Sequence, residues 1–300
     1  MFIIEIIGGL GNQMFGYAFS MAMENHYGKD SVTLYTGRFK EATDNYGYEL
    51  NRVFGIDDPI IDDKKKVEHL IDNSWTLMAR ARRKFLGTKS TYLNEDLSNW
   101  FDPRVFNLDP NKRMYIQGLW QDESYFKDIR PLILEKFRFK AELNDVNKQI
   151  LSKIIDANSV SLHVRRGDYV SNPQYVNFLG DVCSYDYYYK ALNQLDKEES
   201  ELSVFVFSDD IEWAKANLDF LEGRDVTLID HNKGLDSYVD MQLMSNCKHN
   251  IIANSTFSWW GAWLNQNPQK KVMAPKRWFK DPAYSRNHIV PDDWIKIDNE

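Results

Sequence analysis

Five short groups of polar residues follow five apolar runs in the second half of this chain, and they carry most of its chemical options. SVSLHV (159–164) contains His163 and leads into Arg165, Arg166 and Asp168. LSVFVFS (202–208) ends in Ser208 and leads into Asp209 and Asp210, and VTLID (226–230) ends at Asp230 and His231. HNIIAN (249–254) leads into Asn254, Ser255, Thr256 and Ser258, and KVMAP (271–275) into Lys276 and Arg277. Fork-shaped guanidinium groups suit a diphosphate. Carboxylates accept from the donor groups of a base or ribose, and hydroxyls opening a helix set free N–H groups and the helix dipole against an anion.

Each group also has an ordinary structural meaning. An Arg-Arg pair is commonly a solvated surface, but this one directly follows a buried strand. Neighbouring residues on a strand point to opposite faces. One arginine of the pair therefore meets a ligand and the other makes a structural ion pair, for instance with Asp168. Asn254 to Ser258 reads as an anion site or as a plain N-cap. The Asn-Ser-Thr sequon within it is discounted, because nothing directs the chain to a secretory lumen. Asp240, one turn after Asp236 on an expected helix over 236–247, suits the paired N–H donors of guanine or serves as a helix-start charge. Of Trp259, Trp260 and Trp263, two are expected in the core and one toward a cleft.

The first half offers Gly8-Gly9-Leu10-Gly11-Asn12-Gln13-Met14 after the run FIIEII (2–7). A dinucleotide fingerprint would place a third glycine where Met14 stands and an acid at the end of the second strand, where Tyr35-Thr36 stands. A nicotinamide site and an oxidoreductase are disfavoured. Gly9 and Gly11 still bring backbone close to a ligand, and Asn12 and Gln13 offer neutral groups suited to sugar hydroxyls. No two aspartates are spaced i, i+2, the histidines are scattered, and no metal-ligand motif is expected.

These residues need a scaffold that gathers strand ends. Strands alternating with helices at this spacing predict doubly wound parallel sheets. Two Rossmann-like halves facing across a cleft are expected, 1–150 and 151–300, with the boundary near a polar helix within 136–159. WTLMARARRKFL (75–86) reads as a basic amphipathic helix. The 300 residues are 43% hydrophobic and 27% charged, as in a soluble globular chain. A net charge of −7 argues against nucleic acid as partner. Two cysteines, Cys183 and Cys247, exclude a disulfide framework and fit a reducing cytoplasm. No apolar run is long enough to span a bilayer.

GGLGNQMFGYA, HVRRGDYV (163–170), FSDDIEWAK (207–215) and NSTFSWWGAWL (254–264) together resemble the α-1,2-fucosyltransferases of glycosyltransferase family 11, in their short bacterial form. The resemblance implies a GT-B fold with an N-terminal acceptor domain and a C-terminal GDP-sugar domain. It implies inverting transfer of fucose from GDP-β-L-fucose to the 2-hydroxyl of a terminal β-galactose, on an oligosaccharide or a lipid-linked glycan, with no obligatory metal or cofactor. By the same likeness Arg165 grips the β-phosphate, His163 lies near the nucleoside, Asp240 meets guanine, and Thr256, Phe257 and Ser258 touch the phosphates. Region 40–135 shapes the acceptor pocket, with acceptor contacts expected from Asn12, Gln13 and aromatics near Trp120. Asp168, Asn12 and Gln13 are the candidate general bases. The competing expectations are a transferase of another GDP-sugar, such as GDP-mannose, and a non-catalytic glycan-binding module. The basic stretch Arg80–Lys84 is either a peripheral membrane contact or a solvated helix face.

Overall fold

The computed structural model describes residues 1–40, 46–96, 101–281 and 288–299. It divides into two units, Met1–Arg138 and Phe139–Glu300. Unit 1 contains β1 (Phe2–Glu5), α1 (Leu10–Tyr27), β2 (Val32–Tyr35), α2 (Leu50–Phe54), β3 (Ile60–Ile61), α3 (Leu77–Leu86), β4 (Tyr92–Asn94), β5 (Met114–Gln117) and α4 (Arg130–Lys136). Its five strands lie parallel in the order β3-β2-β1-β5-β4. β1 is buried along its whole length, as a central parallel strand covered on both faces must be. The turn into α1 needs Gly8 at φ +77°, and a Cβ there would stand 2.5 Å from the Asn12 amide nitrogen.

Unit 2 contains α5 (Asp145–Asp156), β6 (Asn158–Val164), α6 (Gly167–Ser171), α7 (Pro173–Phe178), α8 (Tyr185–Asp196), β7 (Leu202–Ser208), α9 (Ile211–Asn217) and β8 (Asp225–Ile229). It continues through α10 (Tyr238–Met244), β9 (His249–Ile251), α11 (Thr256–Leu264), β10 (Val272–Pro275) and β11 (Ile295–Ile297). The six parallel strands run β11-β10-β9-β6-β7-β8. Counted from β6, that is the 6-5-4-1-2-3 order of a Rossmann sheet, so the chain reverses direction between β6 and β9. Val160, Leu162, Val204 and Val206 pack against Tyr187, Leu192 and Leu195 of α8 to form the core.

The division falls after Arg138 rather than at 150, because α5 belongs to unit 2. Ile150 and Ile154 are buried, and Asn147 donates to Asn232, which follows β8, at 2.8 Å. The expected helix over 236–247 is shorter, with Asp236 in a separate 3-10 turn, Gly234–Asp236. β3, β4 and β11 escaped the sequence pattern, since two or three residues are too few to show a period of two.

Candidate active site

In an open parallel sheet the binding crevice lies beyond the carboxyl ends of the strands, where the strand order reverses. In unit 2 that point is the gap between the ends of β6 and β9, and it holds His163, Arg165 and the start of α11. His163 is buried, its ring 5.9 Å from that of Phe257, and its Nδ1 has no hydrogen-bond partner. Burial, helped by the Arg165 charge, pushes the imidazole down to about 3, so it is neutral at any ordinary pH.

Arg165 lies just past the last residue of β6. Its guanidinium bridges Asp168 Oδ1 at 2.6 Å and Asp209 Oδ2 at 2.9 Å, with the Tyr169 ring 5.5 Å away. Arg166 turns elsewhere: its Nε meets Asp210 Oδ2 at 3.2 Å and its guanidinium stacks 4.1 Å over Trp213. Asp168 thus pairs with Arg165 rather than with Arg166. The two arginines do diverge, but not by strand pleating: Arg166 has φ −133° and ψ −68° and starts α6.

Asp209 and Asp210, expected at the nucleotide, are both engaged by internal partners. Asp209 accepts from the Arg166 backbone N–H at 2.8 Å as well as from Arg165. Asp210 caps α9 by accepting from the Trp213 N–H at 3.1 Å.

Ser255 caps α11, accepting from the Phe257 N–H at 3.3 Å, while Thr256 and Phe257 are half-buried at the helix start. Ser258 departs from expectation: it is fully buried and donates inward to the Ser255 carbonyl at 3.3 Å. Trp259, Trp260 and Trp263 are all buried, so none lines a cleft. The Tyr169 hydroxyl donates to the Asn254 carbonyl at 3.1 Å, and Asn254 Nδ2 donates to Leu179 and Trp278 at 3.0 Å each. These bonds tie together the loops that follow β6, β9 and β10.

Asp240 is half-buried in the first turn of α10, accepting from Asn232 Nδ2 at 2.8 Å. Burial pushes its carboxyl up to about 7, against the pull of the Asn232 bond. Two further strand-end residues, His231 and Arg277, make contacts within the fold. His231 meets Asn147 Oδ1 at 3.0 Å, and the Arg277 N–H donates to Asn299 Oδ1 at 2.9 Å.

Unit 1 reverses strand order between β1 and β5, and two residues expected there to touch ligand are sealed off. Gln13 is fully buried: it donates to the Gly8 and Gly47 carbonyls at 2.9 and 2.8 Å and accepts from the Glu49 N–H at 2.8 Å. With its amide saturated, it neither binds a sugar nor acts as a base. Trp120 is fully buried, stacked 4.0 Å from Phe19, in a left-handed conformation at φ +54°. Gly118 makes that placement feasible, since a Cβ there would meet Glu95 and the Trp120 ring within 2.8 Å. Gly11 is buried in α1, Gly9 is the half-buried N-cap, and Asn12 is half-buried with Oδ1 accepting from Gln121 at 2.8 Å.

The roomy feature of unit 1 lies elsewhere. A cavity of about 1180 Å³ borders the ends of β4 and β5 and is lined by Arg38, Arg80, Arg83 and Arg104 beside Trp75, Tyr92, Glu95 and Gln117. Arg38 pairs with buried Glu5 at 2.7 Å, Arg83 with Asp72 at 3.2 Å, and Arg104 Nε with Asp102 at 2.7 Å. The Arg80 side chain makes no ion pair among the described residues. Trp75, Arg80 and Arg83 belong to the basic helix read from the sequence, whereas Arg38, Tyr92, Glu95, Arg104 and Gln117 carried no such signal. The available signal was their place at strand ends, in a stretch whose strands are too short to recognise.

Two Rossmann-like α/β units, one with a polar cluster at its switch point, are the elements of the GT-B fold class. The family model for glycosyl transferase family 11 matches residues 1–298, and the chain belongs to that family. It is 35% identical over 298 residues to an α-1,2-colitosyltransferase of Escherichia coli, covering 99% of this chain and 98% of that protein. It is 33% identical over 310 residues to the O-antigen biosynthesis glycosyltransferase WbnK of Escherichia coli, covering 97% and 98%. Among solved structures it is similar to Arabidopsis thaliana FUT1 in complex with GDP, with TM-score 0.51, 13% identity, and coverage of 91% of this chain and 69% of that one. That likeness bears on the fold.

Proposed function

We infer that the chain is an inverting α-1,2-fucosyltransferase that moves L-fucose from GDP-β-L-fucose to the 2-hydroxyl of a terminal β-galactose, without an obligatory metal. The observation that carries this reading is the switch-point cluster of unit 2, a neutral buried His163, the charged Arg165 and the N-terminus of α11, taken together with the half-buried carboxyl of Asp240 on α10. Ionised Asp240 accepts the paired N–H donors of guanine, which neither adenine nor uracil presents in that arrangement. Arg165 and the first N–H groups of α11 take the diphosphate. Asp209 is held by two donors, whereas Asp168 is the more exposed partner of Arg165 and gives way to phosphate.

Fucose leaves with oxocarbenium character while charge grows on the β-phosphate, where Arg165 stabilises it. The galactose 2-hydroxyl attacks the opposite face and inverts the centre from β to α. Asp168, once released from Arg165, is the candidate to receive the hydroxyl proton, whereas the Asn12 amide is not basic and can only hydrogen-bond a sugar hydroxyl. The acceptor lies in the arginine-lined cavity of unit 1, whose Trp75 and Tyr92 suit a sugar face and whose cations suit an acceptor bearing phosphate or acidic sugars. A lipid-linked surface glycan under assembly has that chemistry.

A second donor is favoured by the 35% identity to a colitosyltransferase. Colitose is L-fucose without its 3-hydroxyl, so the choice rests on one hydrogen-bonding group, which selects strongly only where the site pairs with that hydroxyl. The test offers GDP-fucose, GDP-colitose, GDP-mannose and UDP-galactose with lactose in excess chelator, followed by linkage analysis. Fucose on the galactose 2-hydroxyl, at a higher kcat/KM than any other sugar, is expected. Faster transfer of colitose reassigns the donor. Activity lost in chelator and restored by a divalent ion overturns the metal-free reading.

A further inference from the structure

α3 is built inside out. Trp75, Leu77, Met78, Phe85 and Leu86 are 83%, 82%, 84%, 81% and 78% exposed, and the helix has no buried residue. At 100° per residue, Leu77, Ala81, Phe85, Met78 and Leu86 sweep one half of the helix, which Arg82 interrupts beside Leu86, while Arg80, Arg83 and Lys84 occupy the other. Ten residues with nothing buried do not hold a helix in water by propensity alone. This one is secured by its polar side. Asp72 accepts from Arg82, from Arg83 Nη1 at 3.2 Å and from the Lys89 N–H at 2.9 Å. Arg83 also donates to the Ser74 carbonyl at 2.5 Å, and Thr76 caps the first turn. A surface helix of a globular domain turns its apolar face inward. Here Arg82 and Arg83, which hold Asp72, face the domain, while Arg80 and Lys84 are exposed beside an apolar face that turns out.

We propose that α3 is an interfacial helix that docks the protein on an anionic lipid bilayer, with its apolar half in the headgroup boundary. Three features select that occupant. An apolar half flanked by Lys and Arg is the composition of helices that lie in the plane of a membrane surface. Of the four cationic residues in the segment 77–86, which holds no acid, Arg80 and Lys84 are exposed and make no ion pair among the described residues, so in a chain of net charge −7 the attraction to anionic headgroups is local. A second copy packed on this face would set Arg80 and Lys84 against the same two cations of its partner, which disfavours a symmetric dimer. Trp75, Arg80 and Arg83 also line the cavity of unit 1, so docking brings that cavity to the lipid surface. This deepens the proposed use of a lipid-linked acceptor, but the docking itself requires no sugar and is tested without one.

The experiment is co-sedimentation of the full chain with vesicles of phosphatidylcholine, with and without phosphatidylglycerol, at low and high salt. Sedimentation only with anionic vesicles, weakened by salt, is expected. Met78→Glu with Phe85→Glu should lower the partition coefficient about a hundredfold, and Lys84→Gln about fivefold. Thermal melting of each variant at the wild-type temperature establishes that the fold is intact. Trp75 emission should shift to the blue on binding, a change absent in Trp75→Phe. Wild-type protein that stays in the supernatant, equal binding to neutral vesicles, or double-variant binding like wild type each overturns the proposal. A dimer in light scattering that Phe85→Glu dissolves assigns the face to a second copy instead. Loss of sugar transfer with vesicle binding intact bears on the proposed function and leaves the docking standing.

Discussion

The two units present opposite kinds of strand-end surface. At the edge of unit 2, nearly every polar group is held in place. Arg165 and Arg166 each hold carboxylates, Tyr169 and Asn254 lace three loops together, and the cavity behind the arginines measures only about 20 Å³, room for about one water. The corresponding edge of unit 1 opens into about 1180 Å³, bordered by a helix with no core contact. The strands follow suit: β6 and β7 are seven residues long, whereas no strand of unit 1 exceeds four. A preorganised surface suits a ligand of one fixed shape, such as a nucleotide diphosphate, because the donors already point where charge develops. A roomy edge on short strands accommodates varied glycans and tolerates sequence change.

The contrast is broken or sharpened most strongly at Arg165. Arg165→Lys keeps the charge but loses the fork, and kcat should fall by ~10²–10³, about 2.7–4 kcal/mol, with a much smaller change in GDP affinity. Arg166→Ala, which removes the Asp210 pair and the Trp213 stack, should instead lower the melting temperature and leave kcat in the folded protein within about threefold, as expected of a residue outside the reacting centre. Steady-state kinetics beside calorimetry separates the two; equal losses of kcat would show that both guanidinium groups reach the diphosphate.

Next in size is Gln13, which tests whether unit 1 is rigid beneath its open edge. Gln13→Ala strands two carbonyls and one N–H in a buried site, and should cost about 2–4 kcal/mol of stability by denaturant unfolding. Acceptor KM should not change. A raised KM with unaltered stability would return Gln13 to the acceptor site.

The smallest effect concerns Asp240. Its carboxyl is raised to about 7, and the proposed pairing with guanine requires the ionised form. Affinity for GDP-fucose, whose diphosphate is esterified at both ends and does not titrate here, should therefore fall as pH drops below 7, approaching tenfold per pH unit. Asp240→Asn should bind more weakly with a flat pH profile. A flat profile in wild type, measured by isothermal titration, would remove Asp240 from guanine recognition.

Much of unit 2 was legible because β6, β7 and the helices that follow them are long enough to show their periods. Apolar runs ending in charged residues mark strand ends whatever the sheet order, so His163, Arg165 and the start of α11 were found together. The same signal could not rank what it found. Asp209 and Asp210 look as available as Asp240 in the sequence, yet two are consumed by the neighbouring arginines and one keeps a free, half-buried carboxyl oxygen.

What the amino-acid order determined by itself was local: the alternation of strands and helices, the glycine turn that leads into α1 without a nicotinamide fingerprint, and the basic amphipathic character of α3. The tertiary structure alone decided partners and burial. The Arg166 N–H meets Asp209 across 43 residues of chain, Gln13 meets Gly47 across 34, and Trp120 sinks against Phe19 because Gly118 leaves room for its ring. Such contacts depend on which strands become neighbours, and local periodicity carries no record of that. It is also why the sequence leaves α3 open between a membrane contact and a solvated face: only the packing reveals that Arg82 and Arg83 face the protein and that its apolar residues do not.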